Sequence, residues 1–256
     1  MTLEPITGLT DEQLTELVVA VRGEIGELSS TGRPYCLGLY RSVALVCFCL
    51  RENPTQTVAA AVFGVSQATV SRRFEALREP IAAALADQVP DPQAWTRGDT
   101  VLVDGTLALT SDWRHRDDLY SGKHRDTGFN LQIAATLGGR LLAVGDPVPG
   151  KRHDAHAWAA SGLAQTLDGI DVLADLGYVG LHLLTGTKKP AARELTDNEK
   201  HVNTELSAVR AAVERAISHL KNWKILGGRC RAPLHKYKSI VATVTALHFY
   251  KFNSPL

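Results

Sequence analysis

Apolar positions recur at helical spacing through the first third of the chain and then change rhythm. Residues 10–28, 35–51, 57–63, 66–77 and 80–86 each follow the three-to-four period of a helix. Thr10 stands where a helix cap belongs, ahead of Asp11 and Glu12 in the first turn. The stretch 88–99 (QVPDPQAWTRGD) holds two prolines and a glycine and interrupts this pattern. It predicts a boundary, with a helical domain over 1–98 and a second domain over 99–256. Beyond it short β-rich runs take over. Residues 100–103 form one, and 129–137 and 140–145 flank Gly138-Gly139 as a hairpin. A helical stretch over 154–166 leads into an apolar run at 172–174, and 183–187 reads as a fifth strand. A long helix over 197–223, capped by Thr196, places Leu206, Val209, Val213, Ile217 and Leu220 on one face. Residues 238–252 read as a last apolar helix.

Three strands, a helix, two strands and a helix give an α/β domain of RNase H-like order, with a mixed five-stranded sheet. The domain before it is all-α. Residues 55–77 have a helix-turn-helix layout, with Ala60, Gly64 and Val70 at its small, turn and apolar positions. A second helix starting at Ser66 would show Gln67, Thr69, Ser71, Arg72 and Arg73 to base edges and phosphates. A hairpin used only for packing is the plainer reading of the same pattern.

Composition narrows the class. The 256 residues are 45% hydrophobic and 21% charged, as in a globular protein. The apolar run at 43–50 is too short to cross a bilayer, and the opening residues lack the basic-then-apolar layout of a signal peptide. A cytoplasmic, nucleoid-associated protein is expected, with no membrane partner. Cys36, Cys47, Cys49 and Cys230 form no CxxC pair, which argues for reduced thiols rather than zinc or disulfides. Net charge is only +1, yet residues 215–256 carry eight Lys and Arg and no acid. Such a segment suits a polyanion, or is a solvated helix surface.

Two segments share a design. Val101-Leu102-Val103 ends in Asp104-Gly105, and Val172-Leu173-Ala174 ends in Asp175-Leu176-Gly177. An acid at the C-terminal tip of a strand sits where α/β sheets bind ligands. On parallel neighbouring strands both could reach one cation. Each acid alone could equally be a turn or cap residue. On the long helix Arg210, Glu214 and Lys221 fall on one polar stripe.

These residues carry a resemblance. Arg210, Glu214 and Lys221, at spacings of four and seven, resemble the C-terminal signature of DDE-type insertion-sequence transposases, nearest the insertion-sequence-five family and its Harbinger-like relatives. Asp104-Gly105-Thr106, Tyr120-Ser121-Gly122-Lys123, Asp175-Leu176-Gly177-Tyr178, the GKRHD run at 150–154 and Lys188-Lys189-Pro190 resemble that family's other segments in order. Ser207 stands where many members have tyrosine.

The resemblance implies a catalytic and metal-binding triad of Asp104, Asp175 and Glu214. It further implies two Mg²⁺ ions, replaceable by Mn²⁺, about 4 Å apart. One would activate a water or a DNA 3′-hydroxyl, and the other would stabilise the leaving oxygen. Arg210 would hold Glu214 ionised. Lys123, Lys188, Lys189, Arg210, Lys221 and Lys224 are the DNA-contact candidates, Lys221 being a phosphate contact or a surface lysine. His153 and Asp154 support the metals or cap a helix. The implied partners are the element's inverted repeats and target DNA, bound by a homodimer or larger assembly. A catalytically degenerate DNA-binding relative and a host-process endonuclease share these features.

Overall fold

A computed structural model describes residues 2–26, 36–91, 95, 100–111 and 115–253. In chain order its helices and strands are α1 (Glu4–Thr7), α2 (Asp11–Ile25), α3 (Leu39–Glu52), α4 (Gln56–Phe63), α5 (Gln67–Ala84), β1 (Thr100–Leu109), β2 (Tyr120–Ser121), β3 (Asp126–Thr136), β4 (Leu141–Val144), β5 (Val148–Pro149), α6 (Asp154–Ala160), α7 (Leu163–Thr166), β6 (Asp171–Leu173), α8 (Asp197–Lys221), α9 (Lys224–Gly227) and α10 (Tyr237–Asn253). The expected helix ends at 27–28 and 35, and most of the 88–99 boundary, lie outside the described residues. No helix among the described residues is long and apolar enough to cross a membrane.

The chain forms two compact units: Met1–Val89 with Leu220–Leu256, and Pro90–His219. The two-part division expected at 98/99 therefore differs from the units at the C-terminal end. The reason is local packing: α10 lies against α5, and α9 against α3.

In the first unit α3 is apolar nearly all round, and Val43, Ala44, Leu45, Val46 and Leu50 are buried. It packs on α1, α2 and α5, as a central helix must. Thr10 caps α2 in a reciprocal box with Gln13: the Gln13 N–H donates to Thr10 Oγ1 at 3.2 Å, and Gln13 Oε1 accepts from the Thr10 N–H at 3.1 Å. Residues 66–77 and 80–86, expected as two helices, belong largely to one, because α5 continues through Pro80. Pro80 removes one bond to the carbonyl of Ala76, whose residue is exposed and can leave that oxygen to water. Cys47 and Cys49 are free, and burial pushes both thiols up to about 12.

The second unit holds a six-stranded mixed sheet of order β2-β3-β1-β6, with β4 and β5 also on β3. Among the described strands only β1 and β6 pair in parallel, through Thr100↔Asp171 to Leu102↔Leu173. The expected run at 183–187 contributes a single parallel bridge, Leu173↔Leu184, because Leu184 alone exchanges bonds with Val172 and Ala174. The helix expected over 154–166 breaks into α6 and α7 at Gly162, whose φ of +82° ends one helix and caps the next. One sheet face buries Val101, Val103, Ala134 and Val172 against Trp158, Leu163 and Leu167.

Thr196 caps α8, with Glu199 returning its carboxylate to the Thr196 N–H at 2.7 Å. Of the apolar face expected on this helix, Val213 and Leu220 are buried and Val209 is exposed. Ala212 and Ala216, not Leu206 and Val209, supply the rest of the buried stripe. Their small side chains allow close approach: a Cβ on Gly139 would stand 2.9 Å from the Ala212 carbonyl.

Candidate active site

Asp104 is not at a strand tip as expected. β1 runs five residues past it, because antiparallel pairing with β3 continues to Leu109↔Gly128. What ends at the expected place is β6. Asp104 and Asp175 each lie two residues beyond the last parallel pair, Leu102↔Leu173, so the acids stay in step across the opening between the strands. The Asp104 and Asp175 side chains are 16% and 24% exposed. Asp104 Oδ1 accepts from the Gly105 N–H at 2.8 Å, and Asp175 Oδ1 accepts from the Gly177 N–H at 2.7 Å. Each acid thus keeps its second oxygen for another partner.

That partner is Arg210. Its Nη2 lies 3.4 Å from Asp104 Oδ2 and 3.7 Å from Asp175 Oδ2. Burial raises the Asp104 pKa above the usual carboxylate range; Arg210 and the Gly105 N–H oppose this, and Asp175 and Asp154 add to it. Arg210 Nε is buried and, among the described residues, has no hydrogen-bond partner. Two acids sharing one cationic nitrogen show that this opening accepts a positive charge, and hard carboxylate oxygens are the donors a divalent cation takes. Asp104 and Asp175 therefore supply donors of the kind such an ion takes.

Glu214 stands apart from this cluster. It is exposed, one turn beyond Arg210, and among the described residues it makes no hydrogen bond or ion pair. Arg210 thus holds the two aspartates rather than Glu214. Among the described residues no three His, Cys, Asp or Glu side chains are grouped to hold one ion.

Of the pair read as metal support or helix cap, His153 is the cap and Asp154 follows it in the first turn of α6. The His153 Nδ1 accepts from the His156 N–H at 3.4 Å. The Asp154 carboxylate points inward, accepting from Asn130 Nδ2 at 2.9 Å and lying 3.4 Å from Lys123 Nζ. A Cβ on Gly105 would fall 2.4 Å from Asp154 Oδ1, so only glycine leaves room here. Asn130, Gln132 and Tyr178 also meet around this point, and their roles were not expected. Two amides within the apolar run FNLQIAA were the available signal.

The remaining candidates are dispersed. Lys188 and Lys189 are exposed, Lys189 pairing with Glu194. Lys224 pairs with Glu52. Lys221 is half-buried, and burial lowers its pKa. On α5, Gln67, Ser71 and Arg72 are exposed and Arg73 is half-buried. Thr69 is a correction: it is buried, and its backbone N–H donates to Ser66 Oγ at 3.2 Å in the helix cap. Position three of a capped helix faces back toward the cap rather than outward.

The family described as DDE superfamily endonuclease matches residues 103–248, a span that includes every acid of this cluster. The chain belongs to that family. Two relatives extend the match along the DDE chain. A Streptomyces albus G protein, named as a transposase for insertion sequence element IS112, is 33% identical over 88% of this chain and 85% of its own. A Microchaete diplosiphon protein, named as a transposase for insertion sequence element IS702, is 23% identical over the same shares. No solved structure matches this DDE chain.

Proposed function

We propose that the chain is an insertion-sequence transposase that cuts at the ends of its element and joins the 3′-hydroxyl to target DNA. The carrying observation is the in-step pair Asp104 and Asp175 converging on one cation. The sheet with its flanking helices is read as RNase H-like. Divalent metal, Mg²⁺ as two ions or Mn²⁺ in its place, supplies an activated water or hydroxyl and offsets charge building on the phosphate when bound.

The chain's own groups do the rest. Asp104 Oδ2 and Asp175 Oδ2 face the opening, where Arg210 now pairs with them, while backbone N–H groups hold the other two oxygens. Glu214, on the same helix as Arg210, is the third acid that would complete the donor set. Lys123 at the rim, with Lys188 and Lys189, holds phosphates. Lys221 and Lys224 belong to the cationic segment over 215–256 and are read as phosphate contacts of their own.

The α4–α5 segment is read as a helix-turn-helix. Ala60 and Val70 are buried, and Gly64 takes φ +68° at the turn. Gln67 and Gln56, each the first residue of its helix, are joined by Gln67 Nε2 donating to Gln56 Oε1 at 3.3 Å. Gln67, Ser71 and Arg72 would face the inverted repeats, which a homodimer or larger assembly would bring together.

A second reading has one observation in its favour. Glu214 stands outside the cluster, as a DNA-binding relative without catalysis would allow. Strand transfer from a donor carrying the element's ends, with Mg²⁺ or Mn²⁺, separates the two. Metal-dependent joining that Asp175→Ala and Glu214→Gln abolish is the expected result. End binding without cleavage by the wild type would leave the second reading standing. Cleavage with no preference for the ends would indicate a host-process endonuclease.

A further inference from the structure

The sheet interior beside the site carries polar groups that packing alone does not require. Asn130 and Gln132 alternate on β3 and so share the face that otherwise buries Ala134 and Trp158. Gln132 and Tyr178 are fully buried, and Asn130 nearly so. Tyr178 O–H donates to Gln132 Oε1 at 2.7 Å, Gln132 Nε2 donates to Asn130 Oδ1 at 2.9 Å, and Asn130 Nδ2 donates to Asp154 Oδ1 at 2.9 Å.

The ends of this chain of bonds fix its direction. An ionised carboxylate only accepts, so Asn130 turns its amide to Asp154 and its oxygen to Gln132. Gln132 must then present its own oxygen to the Tyr178 hydroxyl. A buried polar atom left unpaired is costly, so three such side chains commit to one arrangement. That arrangement holds Asp154 Oδ1. Gly105, directly opposite Gln132 in the β1–β3 register, leaves the space in which the amide and the carboxylate meet.

The other oxygen, Oδ2, accepts from Lys123 Nζ at 3.4 Å and lies on the side of Asp175. Asp154 Oδ2 lies 3.6 Å, and Asp175 Oδ1 2.8 Å, from the point where a Cβ on Gly177 would stand. We propose that Asp154 is a further cation-binding carboxylate of this site, and that Asn130, Gln132 and Tyr178 are positioning residues that aim its Oδ2 toward Asp175. The proposal rests on the metal-dependent reading above. It differs from that reading in adding an acid from α6, outside the triad of Asp104, Asp175 and Glu214.

The test is Mn²⁺ binding by the full chain without DNA, followed by the Mn²⁺ paramagnetic resonance signal, with thermal unfolding in chelator as the folding control. Asp154→Asn keeps an oxygen for Asn130 and removes only the charge. Tyr178→Phe and Asn130→Ala leave every carboxylate in place. Asp154→Asn should weaken Mn²⁺ binding at least tenfold. The two positioning variants should weaken it by about tenfold, the lower end for groups that orient metal ligands. Each variant should keep a cooperative unfolding transition. Wild-type affinity in folded Asp154→Asn would overturn this proposal and leave the metal-dependent reading standing. Wild-type affinity in both positioning variants would overturn the relay. A wild-type chain that binds no Mn²⁺ would overturn the metal-dependent reading, and this proposal with it.

Discussion

Arg210 Nη2 lies 3.4 Å from Asp104 Oδ2, reaching from α8 to a strand residue 106 positions earlier in the chain. The same nitrogen is 3.7 Å from Asp175 Oδ2, so one guanidinium balances both acids. Arg210→Ala leaves two partly buried carboxylates facing each other. A loss of about 1–2 kcal/mol is expected, below that for a fully buried pair because water still reaches the site. Urea unfolding in chelator measures it. Added Mn²⁺ should restore more stability to Arg210→Ala than to the wild type; equal gains would show that Arg210 does not stand in the cation's place.

Asp104 gives a pH dependence whose sign is fixed. Its pKa in the folded chain lies above the ordinary 3.8, chiefly through burial. The folded state therefore holds the proton more tightly than the unfolded chain does. That advantage is fully present below 3.8 and is lost as pH rises through the raised value. Asp104→Asn should accordingly be more stable than wild type at neutral pH without metal, the difference shrinking in acid. It should also abolish metal-dependent cleavage. A variant less stable than wild type at pH 7 would contradict the burial argument.

Gly105→Ala tests the crowding behind the site. The new Cβ would meet Asp154 Oδ1 at 2.4 Å and Gln132 Nε2 at 2.7 Å. Both belong to one hydrogen-bonded set, so neither can move alone. A destabilisation of about 1–3 kcal/mol is expected, as for other overpacked interiors, with weaker Mn²⁺ binding. Unchanged unfolding and unchanged Mn²⁺ affinity would mean that Asp154 is not held in place.

On α5, stability and DNA recognition should separate by residue. Thr69→Ala removes a buried hydroxyl that lies 3.0 Å from Ser66 Oγ, and should cost about 1 kcal/mol while leaving base preference alone. Gln67→Ala should change the preferred sequence without changing the unfolding midpoint. Arg72→Ala should lower the salt dependence of binding by about one unit of slope. Selection from random duplexes and a salt titration measure these effects. A Thr69→Ala chain with altered base preference would place that residue at the DNA after all.

Local signals were legible because short-range physics sets them. The Thr10 and Thr196 caps formed where the sequence placed them, since a cap needs only a side chain and the first helical turn. The matching design of the two Asp-ending runs was legible too, while their parallel pairing stood only as a condition that the packed sheet met. Helix continuity through Pro80 was not, because it depends on whether one freed carbonyl finds water. The same limit applied to Thr69, which the exposed-face count put outward and the helix cap turned inward.

By itself, then, the sequence determined the helix caps, the turn glycines and the family that the match to residues 103–248 shows. Tertiary structure decided who faces whom. It sent Arg210, rather than Glu214, to Asp104 and Asp175, and returned residues 220–256 to the helices of the first unit. It also built a line of hydrogen bonds from Tyr178 to Asp154 out of residues on three separate elements. Such pairings depend on distances closed only when strands and helices pack, and no spacing along the chain encodes them.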